Sequence, residues 1–254
     1  MRFSILPILF FISSCAYMKI INTDNREVEK LSGDLKYEFN DTTGAFIKLR
    51  QKGMDSNQNK VVKSIIYTEN KKDTPVEKLV SISKQNDEVS GIKLLTPLRS
   101  EVVYWFDGNR YKSSIRLDSE KKTYIINSFG KEKEWNRTKK LEIESSKKAY
   151  CFFSQLVECI EYSGFFEKSR RSKSGSMNLE IIWDGYPFFN EQYLNDKDNV
   201  SARGKISYAG KETIGLHKYS LKVDGQVINY SIYRDKYLAK MFWVSQGISQ
   251  ILME

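Results

Sequence analysis

The sequence predicts a mainly β protein: a curved antiparallel sheet, a half-barrel or open barrel meander, with one principal amphipathic helix near residues 150–164. Three observations carry that expectation. Short runs of β-branched, aliphatic and aromatic residues succeed one another, each bounded by polar clusters. Asp107-Gly108 and Asp224-Gly225, dipeptides suited to tight hairpin turns, stand between such runs. Only the stretch around 153–160 sets apolar residues (Phe153, Leu156, Val157, Ile160) at helical spacing.

The elements follow in order. Leu35, Tyr37 and Phe39 alternate with Lys36 and Glu38, and the runs 61–67, 78–83 and 89–95 read as successive antiparallel strands. The run 102–106 meets its Asp-Gly turn and returns through 110–117; a turn at 118–122 leads into 123–129. Gly130 separates that strand from a long charged one, 131–144, whose apolar positions are Trp135, Leu141 and Ile143. The helix follows, with Gly164 placed where helices commonly stop. Residues 168–175 are basic, small and free of apolar side chains, which reads as a solvated loop, or as a contact for lipid headgroups or an anionic polymer. Strands resume at 177–183, a turn at 184–187 leads to Phe188-Phe189, and 195–199 is a polar loop. Four strands in hairpin succession close the chain at 216–223, 227–233, 237–244 and 248–253. No linker divides residues 31–254, which are read as a single β-rich domain.

The N-terminus has a different character. Arg2 precedes an apolar run at 3–12 that is about half the 20 residues a spanning helix needs, the build of an export signal. Ile12-Ser13-Ser14-Cys15 resembles the lipobox of bacterial lipoproteins. That resemblance implies a signal peptide at 1–14, removed by cleavage before a diacylated Cys15 whose new amine is acylated in turn, and a lipidated N-terminus and tether at 15–30. Each buried acyl methylene contributes about 0.8 kcal/mol, so several chains anchor a protein firmly. Ala16 is not the aspartate that marks inner-membrane retention, and the expected address is the periplasmic face of the outer membrane.

Removing residues 1–14 leaves 240 residues, ample for a core, and a chain that is still basic, since Arg2 is the only charge lost from a formal +9. The basic residues are interleaved with acidic ones and accompany no nucleic-acid motif, so no nucleic-acid partner is expected; anionic lipid is the simpler partner for such a surface. No GxSxG, P-loop or HExxH setting occurs, His217 is the single histidine, and no CxxC pair is present. The expectation is a protein that is not an enzyme and has no metal and no cofactor. Cys151 and Cys159 pose an open question. On one continuous helix they stand about 12 Å apart, beyond the roughly 7 Å limit for a disulfide; a helix beginning only at Ser154 allows a bridge from the preceding turn.

The helix with its following loop at 150–166, and the final meander at 205–253, resemble the half-barrel domains of the LolA/LolB type. The lipid-handling members hold acyl chains in an apolar cavity between a curved sheet and helices. The resemblance implies a cavity for a lipid or other hydrophobic ligand here, with Trp105, Phe153, Trp183, Phe188, Phe242 and Trp243 as candidates to line it rather than to fill a solid core. The alternative is a packed sheet serving as a non-enzymatic scaffold in an envelope protein complex, recruiting a partner through an exposed strand edge or the basic segment. The anchor gives a direct expectation: Cys15→Ser moves the protein from the membrane to the soluble fraction on cell fractionation, whereas an unchanged membrane fraction refutes lipidation at that residue.

Overall fold

A computed structural model of the chain describes residues 28–31, 34–69, 74–86, 93–144, 148–194 and 198–253. Cys15 and the signal and tether residues before Val28 lie outside them. Before the helical region the strands are β1 (Val28–Leu31), β2 (Leu35–Asp41), β3 (Gly44–Asp55), β4 (Lys60–Tyr67), β5 (Pro75–Gln85), β6 (Leu95–Phe106), β7 (Asn109–Asp118), β8 (Thr123–Phe129) and β9 (Arg137–Glu142). After it come β10 (Tyr150–Phe152), β11 (Ser176–Ile182), β12 (Ser201–Thr213), β13 (Leu216–Val223), β14 (Gln226–Tyr233), β15 (Leu238–Trp243) and β16 (Ile248–Leu252).

All of them form one open curved sheet in the order β10 to β16, then β2 to β9, with β1 added beside β3. The pairings are antiparallel except β10 with β11. Two meanders are therefore joined through β16 and β2, where Leu252 faces Tyr37 and Ser249 faces Asn40. β1 takes the edge of β3 at Gly53–Asp55 that β2 leaves free, so the sheet begins at Val28, within the span read as tether. The Asp-Gly hairpins form as expected: Asp107, Gly108, Asp224 and Gly225 all have positive φ, as the tightest antiparallel turns require.

Several expected elements are corrected. β3 was not foreseen, because its inward positions Lys48, Arg50 and Lys52 are charged and hide the apolar alternation. β6 is one twelve-residue strand beginning at Leu95; the expected strand at 89–95 falls mostly on residues outside those described. Pro97 is tolerated within β6 because the register shifts beside it, between Ile82 and Ser83. The long charged strand at 131–144 is a short 3₁₀ turn, Lys133–Trp135, followed by β9.

The single helix is also broken up. Tyr150–Phe152 is strand, Phe153–Gln155 a 3₁₀ turn, and the α-helices are α1 (Leu156–Tyr162) and α2 (Phe165–Ser172), separated at Gly164. The basic segment is thus largely α2 and not a loop. Phe165, Phe166 and Ser169 form its buried face, and the rings of both phenylalanines pack on Tyr219. Arg170 lies in its last turn, where a cation complements the helix dipole, and donates to the carbonyls of Tyr233 and Arg234 at 2.9 and 2.8 Å.

The hollow of the sheet is largely occupied by chain. β10, the 3₁₀ turn, α1 and the segment from Trp183 to Leu194, which ends in a π-helical turn at Asn190–Leu194, lie against its inner face. Small residues make room for them: Ser64, Ser81, Ser83, Ser100, Ser113 and Ser128 are all buried. Ser81 Oγ meets Ser154 Oγ at 2.9 Å, Ser83 donates to Gln155, and Ser113 donates to the Tyr186 carbonyl at 2.5 Å. Gln155 Nε2 donates to the Ser81 carbonyl at 3.0 Å and the Lys60 carbonyl at 3.3 Å.

Because β10 ends at Phe152, Cys151 stands before the helix rather than on it, and its sulfur bonds Cys159 with the Cα atoms 6.4 Å apart. Closing so short a loop constrains the unfolded chain by about 2–3 kcal/mol. Reduction, or the Cys151→Ser/Cys159→Ser double variant, is expected to lower the free energy of unfolding by that amount in a denaturant titration; an unchanged midpoint and slope refute it.

Candidate functional site

Two concavities are built from this arrangement. The first lies inside the sheet. Tyr37, Lys48, Ile66, Glu77, Tyr104 and Tyr111 are successive register partners across β2 to β7 and so share one face. Lys48, Ile66, Glu77 and Tyr104 line a cavity of about 100 Å³, together with Phe153, Phe189, Tyr193 and Trp243 from the opposite side. Asp184 completes the polar part. Its carboxylate accepts from the Ser154 amide at 3.1 Å and from Ser100 Oγ at 3.4 Å. Gly185, with φ of 97°, follows it, and a Cβ at that position would collide with the Tyr104 hydroxyl; only glycine lets this turn close over the cavity.

One row away, Arg50 is paired with Glu158 of α1 at 2.7 Å, and the two side chains are only 10% and 6% exposed. The same guanidinium donates to the Ser154 carbonyl at 3.2 Å. Burial alone would push the Glu158 carboxyl up, but the charge and hydrogen bond of Arg50 hold it below the usual carboxylate range. Removing one partner of such a pair typically costs about 3–5 kcal/mol, because the other charge is left buried.

Lys48 and Glu77 are in a different state. Among the described residues neither closes an ion pair or a side-chain hydrogen bond; the Lys48 ammonium rests 5.5 Å from the centre of the Phe39 ring. Burial pushes the Lys48 ammonium down, partly offset by the charge of Glu77. Burial pushes the Glu77 carboxyl up to about 7, against the opposing charge of Lys48 and with added repulsion from Asp184 and Asp41. Both side chains are half-buried because they border the void.

The six aromatic residues expected to line a cavity divide. Phe153 and Trp243 line it, 5.9 Å apart between ring centres. Trp183 is buried behind them, stacked on Phe189 and Trp243 at 5.7 and 6.3 Å. Phe188 turns away into a cluster with Tyr104, Tyr111 and Trp135. Trp105 and Phe242 alternate with inward neighbours and face outward, Trp105 beneath the Lys78 ammonium at 5.8 Å. The charged lining was not foreseen from sequence, since its two key residues lie on β3, which was missed, and at Glu77, just before the expected start of β5.

The second concavity lies outside, between α2 and β11. β11 pairs with β12 along its whole length, but with β10 only from Glu180 to Ile182, so the edge at residues 176–179 is not taken by β10. There a groove of about 1380 Å³ opens, with Leu94, Phe165, Met177 and Leu179 as its apolar surface. Its rim carries Lys148, Lys168, Arg203, Lys205 and Lys222 against Glu180 and Asp224.

His217, the single histidine, bonds the Tyr208 hydroxyl at 3.0 Å in neither concavity. Among the described residues no group of three His, Cys, Asp or Glu side chains is placed to hold a metal ion, and no helix is long and apolar enough to cross a membrane. No known sequence family and no curated protein matches the chain. Among solved structures, the crystal structure of a β-barrel-like protein of a domain of unknown function, DUF1849, from Brucella abortus is similar to it. The identity is 8% and the TM-score 0.45, over 87% of this chain and 95% of that one.

The raised Glu77 carboxyl fixes the sign of a pH dependence. Between the ordinary value of 4.5 and about 7 the folded protein keeps a proton that the unfolded chain has released. Its contribution is therefore full at acid pH and is lost as pH rises to about 7. Glu77→Gln is expected to unfold on the order of 5–10 °C above the parent at pH 8 and level with it near pH 4.5. A difference that does not vary with pH refutes the assignment.

Proposed function

We propose that this chain is an anchored envelope lipoprotein whose curved sheet binds a lipid or similar amphipathic ligand in the outer groove. The observation that carries the reading is the groove itself. It is larger than the roughly 300–1,000 Å³ of ordinary small-molecule sites, Leu94, Phe165, Met177 and Leu179 give it apolar walls, and basic side chains stand at its rim where an anionic headgroup would lie. The interior cavity is unsuited to that role: at about 100 Å³ it is smaller than the 150 Å³ that one benzene fills.

Two features support the envelope setting. The lipobox-like Ile12-Ser13-Ser14-Cys15 supplies an anchor, and the Cys151–Cys159 disulfide suits an oxidising compartment. A scaffold function draws on the same groove, since the edge at 176–179 could pair with an extended segment of a partner protein. The groove's apolar surface, which backbone pairing does not need, favours the ligand.

Extraction of the full chain from membranes, followed by native and denaturing mass spectrometry, tests the proposal. A non-covalent lipid of defined mass is expected on the parent protein, and Met177→Glu, which puts a carboxylate into the apolar surface, should reduce its occupancy at least tenfold. A parent protein that carries no lipid and takes none from phospholipid vesicles refutes the reading.

A further inference from the structure

The interior cavity holds two opposite charges that the sheet keeps apart. Lys48 and Glu77 lie in one register row, with Ile66 on the strand between them. Their backbones are therefore two strand spacings, about 10 Å, from each other. Had either stood at the position of Ile66, the pair would be neighbours able to close directly. Instead both border the same void, and among the described residues neither has an ion-pair partner. Unpaired charges in an apolar surround are costly, and folded proteins normally pair them. Arg50, next to Lys48 on the same face, shows what pairing looks like here: its guanidinium is held by Glu158 at 2.7 Å.

We propose that this cavity is a binding site for a zwitterion smaller than benzene, of about five heavy atoms, such as glycine. Its carboxylate accepts from the Lys48 ammonium, and its ammonium donates to Glu77. Asp184, whose charge acts on both Glu77 and Lys48, adds negative charge to the cavity and is held in place by the Ser154 amide at 3.1 Å and Ser100 at 3.4 Å. Tyr104, Phe153, Phe189 and Tyr193 supply aromatic walls, whose faces attract a cation. The size limit follows from the volume, about 100 Å³ against 150 Å³ for a benzene-filled cavity. An acid or an amine alone would satisfy one of the two charges and leave the other bare; only a zwitterion answers both. The inference is independent of the outer groove and its lipid.

Titration calorimetry at pH 8, where Glu77 is ionised, on the full chain with glycine, β-alanine, acetate and ethylammonium as probes decides it. Glycine should bind tenfold or more tightly than acetate or ethylammonium, and β-alanine, one heavy atom longer, less tightly than glycine. Lys48→Met and Glu77→Gln should each weaken that binding at least tenfold, and for Glu77→Gln the unfolding temperature at pH 8 holds or rises, because it removes a buried carboxylate. Should Lys48→Met fail to fold, Glu77→Gln alone carries the test. Acetate binding as tightly as the amino acids, or amino-acid binding indifferent to both variants, overturns the proposal. So does no binding by any probe, the result expected of a cavity that holds only water. None of these outcomes bears on the groove, whose readout is lipid content.

Discussion

What the rest of this structure depends on is the hydrogen bonding between serines on the inner face of the sheet and the stretch of chain that crosses it. A curved sheet must fill its hollow, and this one does so with segments whose backbone is mostly not in a ladder. Buried backbone groups without partners are scarcely tolerated. Ser113 meets that demand at the Tyr186 carbonyl, and Ser81, Ser83 and Ser100 bond the side chains of Ser154, Gln155 and Asp184; all four are small enough to let the 3₁₀ turn at Phe153–Gln155 and the turn at Asp184–Tyr186 approach closely. Gln155 returns two bonds to strand carbonyls. The Arg50–Glu158 pair and the disulfide then fix the start of α1 from two further directions.

The cavity is a consequence of where that docking stops. In the rows through Ser64, Ser81 and Ser100 the insert lies against the sheet; one row on, the inner face carries Lys48, Ile66, Glu77 and Tyr104, and the insert meets it through the turn at Gly185, which closes on the Tyr104 hydroxyl. Long side chains hold the two layers apart there. The same face thus offers serine where chain must pack and opposed charges where space remains, and this contrast makes Lys48 and Glu77 more than two polar residues in a poorly filled core.

The groove arises from a different constraint. β10 is only three residues long because the chain must leave the sheet to form the 3₁₀ turn and α1, so it cannot cover β11 throughout. α2 lies across from the uncovered part, seated by Phe165 and Phe166 on Tyr219. Its outward residues, Lys168 and Ser172 among them, line the opening. A basic segment that reads as solvated loop is thereby half core and half rim.

The sequence by itself determined the β class, the hairpin succession from Leu216 to the end, the Asp-Gly turns and the lipobox-like N-terminus, because each depends on neighbours a few residues apart. Alternation, turn dihedrals and helical spacing are local properties, legible wherever one face is apolar. Only the tertiary structure decided the rest. β3 escaped notice because its inward residues answer to Glu158 and to a cavity, partners brought near by folding, and Arg50 reads as a surface residue until α1 is set against it. The aromatic candidates separated for the same reason: Trp243 and Phe242 are adjacent in the chain, and the pleat of β15 sends one inward and the other out. Whether Cys151 could reach Cys159 turned on where a helix began, and that was set by the pairing of Tyr150–Phe152 with β11, a contact between segments some thirty residues apart.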